Sequence, residues 1–323
     1  MFKKIVKKSL RTIAKPLFKQ PFTSLENIAK AYQQVSSGIL KEPINLPMTC
    51  AGIIFSKDRA MQLHALLSSY FHYVENVVPL QILYTTSNSH HQQSYDELVS
   101  IFKDKEVLFI QENNFRLNLL ERLQKIDSPL IFFMTDDGLF INNFNLANAC
   151  SFDPLKNVFS LIKGKDLDYC YIQNKRQPIP EFITPQSLSL TTGILCWEWE
   201  KQPSWSDWAY PLSLDTSFFL KKEIEMLIGL LDFKGPNSLE AALHKNFAPI
   251  FLKRNGLCYE KAMYVNVVCN VVNTEHKNRN TGTHSIESLL QKWNEGLCIQ
   301  YELFKGKSCT EVEKASFTFT KRN

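Results

Sequence analysis

Leu130-Ile131-Phe132-Phe133-Met134-Thr135-Asp136-Asp137-Gly138-Leu139-Phe140 is the stretch that decides the fold. Five apolar residues run without a break, as in a strand covered on both faces. Thr135 ends the run, two carboxylates follow at once, and Gly138 offers a turn position. A hydrophobic strand that carries acids at its C-terminal end is how an open α/β sheet builds a ligand site. Adjacent acids repel each other, and a divalent cation sharing its shell with phosphate oxygens is one remedy. Asp and Gly also form plain polar turns, so the triplet alone does not settle the matter.

Working outward, the pattern before Leu130 alternates. Strands are expected over Thr49–Phe55, Pro79–Thr85 and Glu106–Ile110, with helices over Ala60–Tyr73, Ser94–Phe102 and Phe115–Ile126. That order implies a mostly parallel sheet flanked by helices. Neither G-x-G-x-x-G nor G-x-x-x-x-G-K occurs, which removes support from a dinucleotide fingerprint and a P-loop.

After Phe140, helices are expected over Leu146–Cys150, Asn157–Leu161 and Leu214–Leu231, and strands over Asp168–Gln173, Leu188–Trp197 and Tyr264–Val272. Asn237 or Ser238 caps a helix holding Glu240 and His244, and Ser285 opens another that Gly296 stops. Trp197, Trp199, Trp205, Trp208 and Tyr210 crowd one segment, as a sugar platform or as ordinary core.

The chain divides on this reading into a basic segment, 1–20, a helix and linker, 21–47, a main domain, 48–300, and a peripheral tail, 301–323. Of the formal charge of +5, seven units come from Lys3, Lys4, Lys7, Lys8, Arg11, Lys15 and Lys19, and without them the balance is −2. A near-neutral body excludes a broad nucleic-acid footprint. The basic segment reads as an amphipathic helix for an anionic membrane surface or as a solvated tail. Eight scattered cysteines without a Cys-x-x-Cys pair point to a reducing, cytoplasmic setting, not to a disulfide framework or a structural zinc.

Strand, Ser56-Lys57-Asp58-Arg59, helix, strand, and later strand-Thr135-Asp136-Asp137-Gly138 resembles the nucleotide-sugar-dependent glycosyltransferases of the GT-A fold, family-2-like. The likeness runs from about Thr49 to Gly296. It implies a GT-A-like Rossmann-type sheet with a C-terminal acceptor-side region. It also implies transfer of a hexosyl or related unit from a nucleotide-sugar donor to a glycan or lipid-linked acceptor, as in polysaccharide biosynthesis, with Mn²⁺ or Mg²⁺.

Carried over, Ser56, Asp58, Arg59 and Asp136 would hold the nucleotide, and Asp137, Asp136 and the late His276 would hold the metal. Asp58 equally suits a helix N-cap. Glu240 is the candidate base, and Asp215 competes for the role; both also suit first-turn positions near a helix dipole. Lys277 and Arg279 could close over the diphosphate. Two rivals stay open: a nucleotidyltransferase, which would want a Gly-rich basic loop after the first strand, and a non-catalytic, membrane-associated glycan-binding protein.

Overall fold

The computed structural model describes residues 32, 44–185, 193–272, 283–313 and 316–322. Expectations for residues 1–20, most of 21–47, and His276, Lys277 and Arg279 lie outside these residues.

The first half follows the alternating pattern. Strand β1 (Cys50–Lys57) leads to α1 (Ala60–Tyr73), then β2 (Leu80–Thr85), α2 (Ser89–Ile101), β3 (Val107–Gln111), α3 (Phe115–Lys125) and β4 (Leu130–Thr135). Asn88 and Asn114 cap α2 and α3 by accepting backbone N–H bonds. The β1–β2, β1–β4 and β2–β3 pairings are all parallel. Leu130 is 1% exposed and Ile131 to Met134 are 0% exposed. Leu130, Phe132 and Met134 join one apolar layer, while Ile131 and Phe133 join the other. Each such side chain contributes about 1.5–3 kcal/mol by burial, which is why this run is a central strand.

Beyond β4 the architecture departs from expectation. A short β5 (Gly138–Phe140) follows the acid pair, and β6 (Asn157–Phe159) replaces the helix expected at Asn157–Leu161. Next come β7 (Ile194–Glu198) and β8 (Phe218–Leu220), then α4 (Lys221–Gly229), α5 (Pro236–Phe251), β9 (Asn255–Tyr259) and β10 (Tyr264–Asn266). The helix expected over Leu214–Leu231 is therefore a strand followed by a shorter helix. Phe218-Phe219-Leu220 fits both periods, and antiparallel pairing with β4 decides for the strand. Likewise, parallel pairing with β9 makes β6 a strand. The main sheet has the order β8-β4-β1-β2-β3, and β7-β9-β6 forms a second sheet.

Gly138 has a different task from the turn expected of it. Its φ is not positive, and it begins β5. A Cβ there would stand 1.6 Å from the Tyr264 hydroxyl and 2.0 Å from Cζ. Tyr264 is fully buried, and its hydroxyl donates to Thr135 O at 3.3 Å, so it has nowhere to retreat. Gly138→Ala is expected to lower unfolding stability by about 2–3 kcal/mol, read by urea denaturation.

The tryptophan segment is core. Trp197, Trp199 and Trp208 are fully buried, with the Trp197 ring 4.6 Å and 5.0 Å from the other two. Trp197 Nε1 donates to Trp208 O, and Trp208 Nε1 to Leu167 O. Trp205 lies under the Lys175 ammonium at 3.5 Å. The platform expectation is thus replaced, for these three indoles, by packing.

Helix α6 (Ile286–Asn294) starts at Ser285, whose side chain caps Ser288 N, and Gly296, at φ +76°, ends it. The tail expected at the periphery is packed instead. β11 (Leu297–Ile299) pairs with β12 (Phe319–Lys321), and Phe304, Val312 and Phe317 are buried. Among the described residues, no helix is long and apolar enough to cross a membrane.

Candidate active site

Two groups of polar residues meet at the C-terminal end of β4. The first is built on the end of β1. Asp136 is 3% exposed, and both its carboxylate oxygens are engaged. Oδ1 accepts from Arg59 Nη1 at 2.9 Å, while Oδ2 accepts from Ser56 Oγ at 2.9 Å and Lys57 N at 3.0 Å. Ser56 in turn hydrogen-bonds the Tyr95 hydroxyl. Arg59 Nη1 also reaches Asp137 Oδ2 at 3.2 Å, and Nη2 donates to Asn270 O at 2.6 Å. Burial works against the Arg59 charge, but Asp136 and Asp137 outweigh it and push its pKa up. The repulsion between the two acids is thus relieved in part by a guanidinium.

Each of these side chains has partners within the protein. Asp136 anchors the end of β4, with donors from β1 and from Arg59 on its two oxygens. Arg59 braces the acids and is buried among its partners. Ser56 serves Asp136 and Tyr95 in the same way. Asp58 does not cap α1, whose N-cap is Arg59 without a side-chain bond. It adopts φ +55°, and its Oδ1 accepts from Ser87 N at 2.7 Å, tying the ends of β1 and β2 together.

Asp137 differs from its neighbour. It is partly exposed, and among the described residues the only side-chain bond to it is the one from Arg59 to Oδ2. It lines a small recess with Gln62, Gly138 and Val267.

The second group arrives through β8. Because β8 runs antiparallel beside β4, the residues before it lie at the end of β4. Thr216 N donates to Phe133 O at 2.8 Å, and Thr135 Oγ1 donates to Asp215 Oδ1 at 3.1 Å. Glu240, near the start of α5, accepts from Leu214 N at 2.9 Å and so clamps the same loop. Burial and then the nearby Asp137 charge push Asp215 up to about 6. Burial and then Asp215 push Glu240 up to about 7. Asp137, Asp215 and Glu240 thus form a chain of acids, each within electrostatic reach of the next.

Local sequence did not reveal several members. Asn266 and Thr135 bond Asp215, and Tyr210 stacks on His244 at 4.1 Å, one turn beyond Glu240. Lys163, buried in Leu161-Ile162-Lys163-Gly164, lies near Asp215 and Glu240. Its one signal is Gly164, where a Cβ would meet Ala262 N at 2.2 Å, so the backbones approach closely there.

Among the described residues, no group of three or more His, Cys, Asp or Glu could hold an ion by itself. Asp137, with one oxygen free of donors among the described residues, fits an ion whose remaining ligands come from a diphosphate and water, the usual pattern for Mg²⁺.

Compared with known proteins, the chain is 30% identical over 199 residues to the bifunctional glycosyltransferase pgtA of Dictyostelium discoideum. The similarity is to a glycosyltransferase. It covers 57% of this chain and 25% of that relative, so the chain spans about a quarter of the curated protein it matches. No family model matches. Among solved structures, S. aureus TarS 1–349 in complex with UDP overlaps 67% of this chain and 60% of its own, at TM-score 0.41 and 14% identity. GalNAc-T7 with UDP, GalNAc and Mn²⁺ overlaps 66% of this chain and 44% of its own, at TM-score 0.40 and 12% identity. At these scores the overlap is loose.

Proposed function

We propose that the chain transfers a sugar from a nucleoside-diphosphate sugar to a glycan or lipid-linked acceptor. The observation that carries this reading is the convergence of Asp137, Asp215 and Glu240 at the C-terminal end of β4. Likeness to a glycosyltransferase over 199 residues supports it. Asp137, with the undescribed His276 as a further candidate, would hold Mn²⁺ or Mg²⁺ against the diphosphate. Such an ion, when bound, supplies positive charge where the departing nucleoside diphosphate gains negative charge.

The protein's own residues do the rest. Asp58, at the joined ends of β1 and β2, would meet the nucleoside. Glu240 accepts the proton of the attacking hydroxyl, and Asp215 keeps it basic by like-charge repulsion. A lipid-linked acceptor is favoured by the seven basic residues within 1–20.

A second, metal-independent reading draws on Arg59, which already bonds both acids of the pair. The nucleotidyltransferase rival has little support, since Ser56-Lys57-Asp58-Arg59 is not a Gly-rich loop and its arginine is committed to Asp136 and Asp137.

A panel of nucleotide sugars, assayed for hydrolysis with Mn²⁺, Mg²⁺ or EDTA, tests the proposal. Metal-stimulated hydrolysis of at least one donor is expected, and Asp137→Asn should weaken nucleotide binding by about tenfold or more. Hydrolysis unaffected by EDTA would favour the Arg59 reading. No hydrolysis or binding of any donor would end the enzymatic reading.

A further inference from the structure

Lys163 is 4% exposed, in the segment joining β6 to the rest of the chain. Its position is set by the backbone around it. Leu161 N donates to Thr216 O, and both Met263 N and Tyr264 N donate to Leu161 O. The lysine therefore enters the site between the Asp215 loop and β10.

Burying an ammonium is unfavourable unless its donors are used. Among the described residues, Lys163 Nζ donates no hydrogen bond and closes no ion pair within 4.0 Å. The charged or titratable groups that feel it are Asp215, Glu240 and the Cys258 thiol. Among the described residues, the lysine's donors thus meet the two carboxylates only across a gap wider than 4.0 Å.

A sugar hydroxyl both accepts and donates, so it can span such a gap. Its oxygen accepts from the ammonium while its proton goes to a carboxylate. Vicinal hydroxyls on one ring would let the first satisfy Lys163 while the second meets Glu240. The local charge also discriminates, because Asp137 is paired with Arg59 while Asp215 and Glu240, when ionised, outnumber the Lys163 ammonium. An acidic sugar would meet net repulsion here.

Resting on the glycosyl-transfer reading above, we infer that Lys163 is a specificity-determining residue. It binds a hydroxyl of an uncharged sugar acceptor, next to the hydroxyl that Glu240 deprotonates.

The test uses the full chain and a donor that it hydrolyses. Methyl glycosides of glucose, galactose and mannose serve as acceptors, with methyl glucuronide as the charged comparison. At least one neutral hexoside should outcompete the glucuronide about tenfold or more. Lys163→Met should raise the KM for that hexoside about tenfold or more while the KM for the donor stays within about twofold. Lys163→Arg should recover much of the loss, which separates hydrogen bonding from mere filling of space.

An unchanged KM in Lys163→Met, a preference for the glucuronide, or failure of every hexoside to compete with water would each overturn the inference alone. A parallel loss of UDP or GDP binding in Lys163→Met, read by thermal shift with Mn²⁺, would assign the lysine to the donor and overturn it too. Absence of donor hydrolysis in the unmodified chain would instead remove the reading on which it rests.

Discussion

Glu240→Gln is expected to lower sugar transfer by two to four orders of magnitude while nucleotide affinity stays within about twofold. Gln keeps an oxygen to accept from Leu214 N, so the clamp on the Asp215 loop survives. What it loses is the ability to take a proton. Wild-type activity should rise with pH through an inflection near the Glu240 pKa of about 7, and the variant should lack that limb.

Stability supplies an independent reading with a definite sign. The folded-state pKa of Glu240 lies above its ordinary value of 4.5 because burial, then Asp215, disfavours the charge. The folded form therefore binds more protons than the unfolded form between those two values. Its contribution to stability falls as pH rises from about 4.5 through about 7, and then levels. Asp215, pushed up to about 6, acts in the same direction. At pH 8 Glu240→Gln should thus be more stable than wild type, on the order of 1–3 kcal/mol, with the advantage gone near pH 4.5. Thermal or urea unfolding at the two pH values measures this. A variant that is less stable at pH 8 would make Glu240 a structural clamp.

Arg59→Met should give the largest loss of stability, about 3–5 kcal/mol at pH 7. It would leave the buried Asp136 and the partly buried Asp137 without their shared cation. Methionine occupies a similar stem volume, so the loss reports chiefly on charge. Two controls sharpen the result. Adding Asp136→Asn should restore part of the stability, because the anion with both oxygens committed is gone. The deficit should also shrink on acidification, since without Arg59 the buried carboxyl of Asp136 would hold its proton in the folded state to a higher pH than in the unfolded chain. A variant that unfolds at the wild-type urea midpoint would show that Arg59 does not compensate the acid pair.

The first half of the fold was legible because its signals are local. Ala60–Tyr73 matches α1 from end to end, and the apolar run at Leu130 is buried on both faces as its composition implies. Ser285 and Gly296 bound α6 for reasons of capping and left-handed backbone that any window of sequence displays. Legibility failed where distant partners decide. Phe218-Phe219-Leu220 is a strand only because β4 lies beside it.

At the site, the placement of Asp137, Asp215 and Glu240 could be anticipated from acids near strand and helix ends, while the commitment of Asp136 to Ser56, Lys57 and Arg59 could not. Lys163 was all but invisible, since Gly164 marks a close backbone approach there but does not tell a buried lysine from an exposed one. The aromatic segment misled because indoles suit both sugars and interiors, and only their mutual contacts separate the two.

The docking of β8 on β4 has a consequence for how such a protein can diversify. Chain leaving through β5 returns through Thr216 and β8 to the same central strand, so both ends of the intervening excursion are moored at one place. Length and composition within that excursion can drift while Asp137 and Asp215 keep their mutual spacing. On the glycosyl transfer proposed above, transplanting it between relatives is expected to exchange acceptor preference as a cassette and leave the donor chemistry of the recipient unaltered.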